Sequence, residues 1–182
     1  MSYQETYIDG LLVIKPKVFA DQRGYFFESY NKKQLENSGL TSDFVQDNQS
    51  KSSYGVIRGL HFQNSPHSQS KLVRVLSGMI YDVAVDLRKN SPTYLQWFGL
   101  EISEVNKLQL FVPKGFAHGF SVLSDETVVM YKCDEFYHPE SESGIIYNDP
   151  QLKIDWKVPE KEMRVSEKDA ILPSLDEAEL NF

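Results

Sequence analysis

The chain has 182 residues, with 19 lysines and arginines against 26 acidic residues and a formal charge of −7. That length suits one domain with a real core, and 41% apolar and 13% aromatic residues exclude a disordered or collagen-like chain. A lone cysteine, Cys133, excludes an intrachain disulfide and a zinc ribbon, and an acidic chain without a basic block is a poor ligand for duplex nucleic acid.

Met1 to Thr6 carries neither the basic nor the apolar region of a secretory leader. No apolar run approaches the roughly 20 residues of a membrane helix. The expectation is one cytoplasmic domain, residues 1–182, that meets neither membrane nor nucleic acid. Residues 1–50 read as polar and strand-poor beside the rest, which points to packing against a partner subunit. Within them, Asn31 to Gly39 reads as a short helix, with Asn31 as N-cap and Gly39 just past the end.

Period-2 patterns dominate the middle of the chain. Val56–Gln63 and Lys71–Leu76 are strand candidates. In Met79–Arg88 every odd position is apolar and three even positions are charged, which predicts an antiparallel strand with one wet face. Lys107–Val112 alternates likewise, and Thr127–Met130, apolar or β-branched on both faces, predicts a more central strand. Ser77-Gly78, Asn90-Ser91-Pro92 and Pro113-Lys114-Gly115 supply turns. Ser166-Glu167-Lys168-Asp169 has capping-box spacing and predicts one helical turn. Many short strands in one domain imply a sandwich or barrel.

Parity places Lys71, Val73 and Val75 on one strand face, and Thr127, Val129, Tyr131 and Cys133 on another. Arg58 and His61, three positions apart, fall on opposite faces unless the strand is bulged between them. Gly59 is the natural place for that bulge.

Two of the four histidines stand in unusual company. His118 closes Pro113-Lys114-Gly115-Phe116-Ala117-His118, which has the Pro-x-Gly-x-x-His form of a cupin's second motif. A metal-binding cupin also needs a His-x-His and a carboxylate, and His61-Phe62-Gln63 offers only a weak ligand in Gln63. The pattern resembles a double-stranded β-helix without its metal set: a mainly β, jelly-roll, cupin-like fold with a few short helices. A strand histidine such as His61 is, by itself, more often structural than catalytic.

Several collinear blocks extend this resemblance. They include Asp21-Gln22-Arg23-Gly24-Tyr25-Phe26-Phe27-Glu28, Phe44-Val45-Gln46-Asp47-Asn48-Gln49-Ser50 and Ile57-Arg58-Gly59-Leu60-His61-Phe62-Gln63. Gln69-Ser70-Lys71-Leu72-Val73, Tyr81 to Arg88, Val112 to Phe120, Tyr131-Lys132, Asn148-Asp149-Pro150 and Ser166 to Asp169 follow. Together they resemble the dTDP-4-dehydrorhamnose 3,5-epimerases of the cupin superfamily. One departure is Tyr147, where that family usually has tryptophan.

The resemblance implies a nucleotide-linked 4-keto-6-deoxy hexose as substrate, inversion of carbons beside its ketone, no cofactor or metal, and a homodimer. Proton removal beside a ketone gives an enolate, so the chemistry needs a base, a donor at the enolate oxygen, and an acid on the opposite face. By family position the base is His61; an unperturbed imidazole titrates near ~6.5. Asp169 holds the ring tautomer, as a triad carboxylate does, or simply caps with Ser166, or both. Lys71 is the enolate-stabilising cation and Tyr131 the acid. Without the family match, a solvated strand lysine and an ordinary strand tyrosine are the plainer readings of these two. Arg23, Glu28, Gln46, Asn48, Arg58, His118, Glu142 and Lys168 are the implied substrate contacts, with Arg23 and Glu28 crossing to the neighbouring subunit. An arginine fork suits a diphosphate, whereas Arg23 and Glu28 as a surface ion pair would be worth little. Tyr137 is open between base stacking and core packing.

Rival readings are a cupin that inverts one carbon or takes another nucleotide sugar such as a GDP-heptose, and a non-catalytic sugar-binding cupin. A metal-dependent cupin oxygenase is disfavoured by Gln63.

Overall fold

The computed structural model describes residues 1–182. In chain order the strands are β1 (Ser2–Glu5), β2 (Leu12–Lys15), β3 (Phe19–Asp21), β4 (Gly24–Phe26), β5 (Gln46–Ser53), β6 (Val56–Gln63) and β7 (Lys71–Ser77). They continue as β8 (Met79–Asp86), β9 (Trp97–Ser103), β10 (Gln109–Val112), β11 (Phe116–Val122), β12 (Glu126–Cys133), β13 (Glu142–Gly144) and β14 (Arg164–Val165). Helices α1 (Lys32–Glu36) and α2 (Glu167–Ala170) are a turn or so each. None is long and apolar enough to cross a membrane.

One sheet runs β1-β2-β10-β7-β12-β5 and the other β13-β6-β11-β8-β9, with β14 added in parallel beside β6. All other pairings are antiparallel, and the two sheets form the jelly-roll sandwich expected of a cupin-like chain. Val13, Val73, Val75, Leu110 and Val129 of the first sheet pack against Ile80, Ala84, Ile102, Phe116 and Phe120 of the second, forming the central core. Lys71 therefore shares a face with Val73 and Val75, and Tyr131 with Val129, as the alternation requires.

The second sheet is also covered outside. Ile57, Leu60, Phe62, Tyr81, Val83 and Val85 meet Ile145, Leu152, Trp156 and Leu175 from the C-terminal segment. The wet face expected for Met79–Arg88 is therefore absent: Asp82 and Asp86 on β8 are both fully buried. Asp86 is satisfied by Arg88 at 2.8 Å, Ser91 at 2.6 Å and Thr93 at 2.8 Å. Burial works to raise its pKa, and the hydrogen bonds from Arg88, Ser91 and Thr93 outweigh it, so the carboxyl is held below its ordinary range.

The first quarter is richer in strands than its polarity suggests. β1 and β2 extend the first sheet, and Leu35 of α1 packs on its outer face with Ile14, Leu72 and Phe111. Asn31 caps α1 as expected, its side chain accepting from the Gln34 amide. β3 and β4 form a separate hairpin whose Phe19, Tyr25 and Phe26 are more than half exposed.

Candidate active site

At one end of the sandwich the interior turns polar. Gln46 and Asn48 of β5, His61 and Gln63 of β6, Lys71 of β7, Tyr131 of β12 and Glu142 of β13 line a cavity of about 150 Å³, with Phe62, Gln69 and Tyr137. Register explains the convergence on the first sheet: Gln46 lies opposite Cys133 and Asn48 opposite Tyr131. Residues directly opposite on neighbouring strands point to the same side.

On the second sheet, β6 must bring His61 round. Opposite β11, His61 pairs with His118 and Arg58 with Phe120, so three steps on β6 match two on β11. The bulge falls at Gly59, whose φ is +122°, as the parity argument expects. Only glycine fits: a Cβ there would lie 2.6 Å from Gly119 Cα and 2.8 Å from the His118 carbonyl.

The His61 ring meets Asp169 at 2.8 Å. The second carboxylate oxygen accepts from the Gly59 amide at 3.3 Å, so the carboxylate ties the ring to its bulge. Ser166 caps α2 by accepting from the Asp169 amide at 3.1 Å. The reciprocal half of a capping box is missing, because the Asp169 side chain faces His61 instead. Burial works against ionisation of Asp169, but the hydrogen bond from His61 prevails and holds its pKa below the ordinary carboxylate range. With one ring nitrogen committed to Asp169, the other is left to exchange a proton.

Across the cavity stand Lys71 and Tyr131. The Lys71 ammonium forms none of the ion pairs of the chain and lies 5.9 Å from the centre of the Tyr131 ring. Burial pushes its pKa down, while Cys133, Asp82 and Glu142 work the other way. Burial pushes the Tyr131 phenol up, Cys133 adds to the rise and Arg58 opposes it, so the phenol is a proton donor at neutral pH.

Glu142 accepts from Tyr137 at 2.8 Å and from Lys168 at 2.7 Å, joining β13 to α2 at the rim. Arg58 is exposed just outside the wall, its guanidinium donating to Ser52 at 3.1 Å. Of the eight expected contacts only Gln46, Asn48 and Glu142 line the cavity; Arg58 and Lys168 stand at its edge, and the other three lie away from it. His118 is buried behind it, bonded to Asp82 at 2.8 Å. Arg23 is exposed on the β3–β4 hairpin and paired with Asp21 at 2.6 Å. Glu28 accepts from Asn31 and Gln34 at the start of α1. Gln63 is a wall residue rather than a ligand, its amide donating to the His67 and Phe136 carbonyls and accepting from the His138 amide. Asp82 carried no sequence signal beyond its strand, because its polarity there reads as solvent exposure.

The family model described as dTDP-4-dehydrorhamnose 3,5-epimerase matches residues 5–177. The chain belongs to that family. The epimerase of Methanothermobacter thermautotrophicus is 52% identical over 166 residues, 91% of this chain and 89% of that one. The crystal structure of the epimerase of Elizabethkingia anophelis superposes with a TM-score of 0.93 at 54% identity, covering 97% of each chain. That of Legionella pneumophila, in complex with dTDP-4-keto-L-rhamnose, has a TM-score of 0.94 at 48% identity, covering 100% of this chain and 98% of that one. As a dTDP-4-dehydrorhamnose 3,5-epimerase family member, the chain is an isomerase acting on a dTDP-linked sugar.

Proposed function

We propose that this chain inverts C3 and C5 of dTDP-4-dehydro-6-deoxyglucose through His61 and Tyr131, giving dTDP-4-dehydrorhamnose without a metal. The carrying observation is the opposition of two proton carriers on different sheets: an imidazole oriented by an ionised carboxylate, and a phenol kept neutral by burial. The unpaired Lys71 ammonium lies beside the phenol, where the ketone oxygen would sit.

The free nitrogen of His61 takes the proton from the carbon beside the ketone. The C–H pair becomes the carbon–carbon double bond of an enolate, and the carbonyl pair moves to oxygen. Lys71 donates to that oxygen, which carries more charge in the transition state than in the ketone. Tyr131 delivers a proton to the far face of the same carbon, and the pair of side chains resets by releasing one proton to solvent and taking up another. Repetition at the second carbon inverts it. Gln46, Asn48 and Glu142 offer the neutral and anionic acceptors and donors that fit sugar hydroxyls, while Arg58 and Lys168 suit the diphosphate outside the wall.

Incubation with dTDP-4-dehydro-6-deoxyglucose in deuterated water should place deuterium at both carbons, and extensive chelation should leave the rate unchanged. Label at C3 alone would restrict the enzyme to one centre. Loss of turnover restored by one divalent ion would overturn the metal-free mechanism.

The same reading makes the enzyme a homodimer. The β3–β4 hairpin exposes Phe19, Tyr25 and Phe26 and carries Arg23, an arrangement suited to burial on a partner whose cavity Arg23 and Glu28 would complete. Sedimentation should find a dimer, and a fully active monomer would contradict the assembly.

A further inference from the structure

We propose a divalent transition-metal site, separate from the catalytic groups, formed by His67, Glu135 and His138. Their ligand atoms lie within 4.8 Å of one another, and all three side chains are half-buried. His67 belongs to the connection between β6 and β7; Glu135 and His138 belong to that between β12 and β13. The site would therefore join two loops that bound the cavity mouth and carry Tyr137 between them.

The backbone of all three residues is already fixed. Gln63, only 4% exposed, donates to the His67 carbonyl at 2.6 Å and accepts from the His138 amide at 2.8 Å. Gln69 donates to the Glu135 carbonyl at 2.8 Å. Two glutamine side chains thus hold the ligand-bearing positions, so binding requires side-chain rotation alone.

The rings of His67 and His138 stack at 3.5 Å between centres with 9° between planes. Stacked rings aim their in-plane lone pairs in near-parallel directions, so an ion requires both rings to rotate out of the stack until two nitrogens converge, with the third ligand from Glu135, whose Oε1 already accepts from the Phe136 amide at 2.9 Å. The Nδ1 of His138 meets Glu140 at 2.9 Å, leaving Nε2 for an ion. A carboxylate behind a ligating imidazole fixes its tautomer and raises its basicity. Two imidazoles, one carboxylate and water favour Zn²⁺, Co²⁺ or Ni²⁺ over Mg²⁺ or Ca²⁺, which prefer oxygen-only shells. None of the four residues takes part in the proton transfers assigned to His61 and Tyr131.

The test is titration of the metal-free protein with Co²⁺, followed by visible absorption and by competition with Zn²⁺. One equivalent per chain should bind with a ligand-field band, and Zn²⁺ should displace it and raise Tm. His67→Asn, His138→Asn and Glu135→Gln should each weaken binding by at least ~10-fold, and Glu140→Gln by ~10-fold through the outer shell. Deuterium incorporation into dTDP-4-dehydro-6-deoxyglucose by each chelated variant reports that it is folded. Absence of stoichiometric binding, or binding that survives His67→Asn and Glu135→Gln, would overturn the site.

Discussion

Replacing Asp169 by asparagine tests the dyad directly, because the two side chains are nearly the same size. The Ser166 cap survives, since it engages the Asp169 backbone amide. What disappears is the negative charge 2.8 Å from the His61 ring nitrogen. Two opposite unit charges ~4 Å apart at an effective dielectric constant of ~20 attract by ~4 kcal/mol. That attraction builds up only as His61 becomes an imidazolium, so its loss falls on the transition state and amounts to ~10³ in rate. The Asp169 side chain is 7% exposed, but that of His61 is 32% exposed, and solvent on the ring side trims the effect towards ~10². Steady-state assay of Asp169→Asn should therefore show kcat down ~10²- to 10³-fold with KM little changed. Deuterium exchange should slow equally at both carbons, because one base serves both. An Asp169→Asn enzyme within a few-fold of the wild-type kcat would refute the reasoning and reduce Asp169 to a helix cap.

Lys71→Met should cut kcat by ~10²- to 10³-fold, as loss of an enolate donor does, yet make the protein more stable by ~1 kcal/mol or more at neutral pH. Burial lowers the Lys71 pKa, so its charge destabilises the fold below that lowered value and the penalty fades as pH rises towards the ordinary lysine range. Urea unfolding of both proteins at neutral and strongly alkaline pH checks this; equal stability at neutral pH would count against it. Gly59→Ala should cost ~2 kcal/mol or more through overlap with Gly119 and His118 and the positive φ, and thermal unfolding at wild-type temperature would show that the bulge yields. Asp86→Ala should cost ~3 kcal/mol by stranding Arg88, and the stability supplied by Asp86 should fade as acid titrates its depressed carboxyl, measurable as a steeper acid limb in wild-type Tm than in the variant.

Strand positions were legible through the middle of the chain: Val56–Gln63, Lys71–Leu76 and Thr127–Met130 all fall on strands, and Thr127–Met130, apolar or β-branched on both faces, lies inside its sheet between β5 and β7. Alternation fixes which residues share a side, but not what covers that side. Met79–Arg88 shows the difference. Its charged positions point inward, where Asp82 meets His118 and Asp86 meets Arg88, because Trp156 and its neighbours cover the opposite face. The polar first quarter hid β1 and β2, whose short length gives little period to read. Within the site, strand parity placed Lys71 with Val73 and Tyr131 with Val129, and a bulge at Gly59 was expected on the condition that Arg58 and His61 face one pocket; the bulge is present, although Arg58 stays outside the wall. The partnership of His61 with Asp169 spans 108 residues and has no local trace; only resemblance to a family linked them. Gln63 and Gln69 were visible as residues but not as braces, since their partners are backbone groups of distant loops.

The attachment of Asp169 near the end of the chain has a consequence for synthesis. His61, Lys71 and Tyr131 leave the ribosome well before Asp169, and β14 and α2 follow nearly all of the sandwich. A nascent chain thus carries its imidazole, ammonium and phenol before it carries the carboxylate that orients the imidazole. A chain cut before α2 keeps an imidazole without its orienting carboxylate, and it also loses Leu175 from the cover of the second sheet.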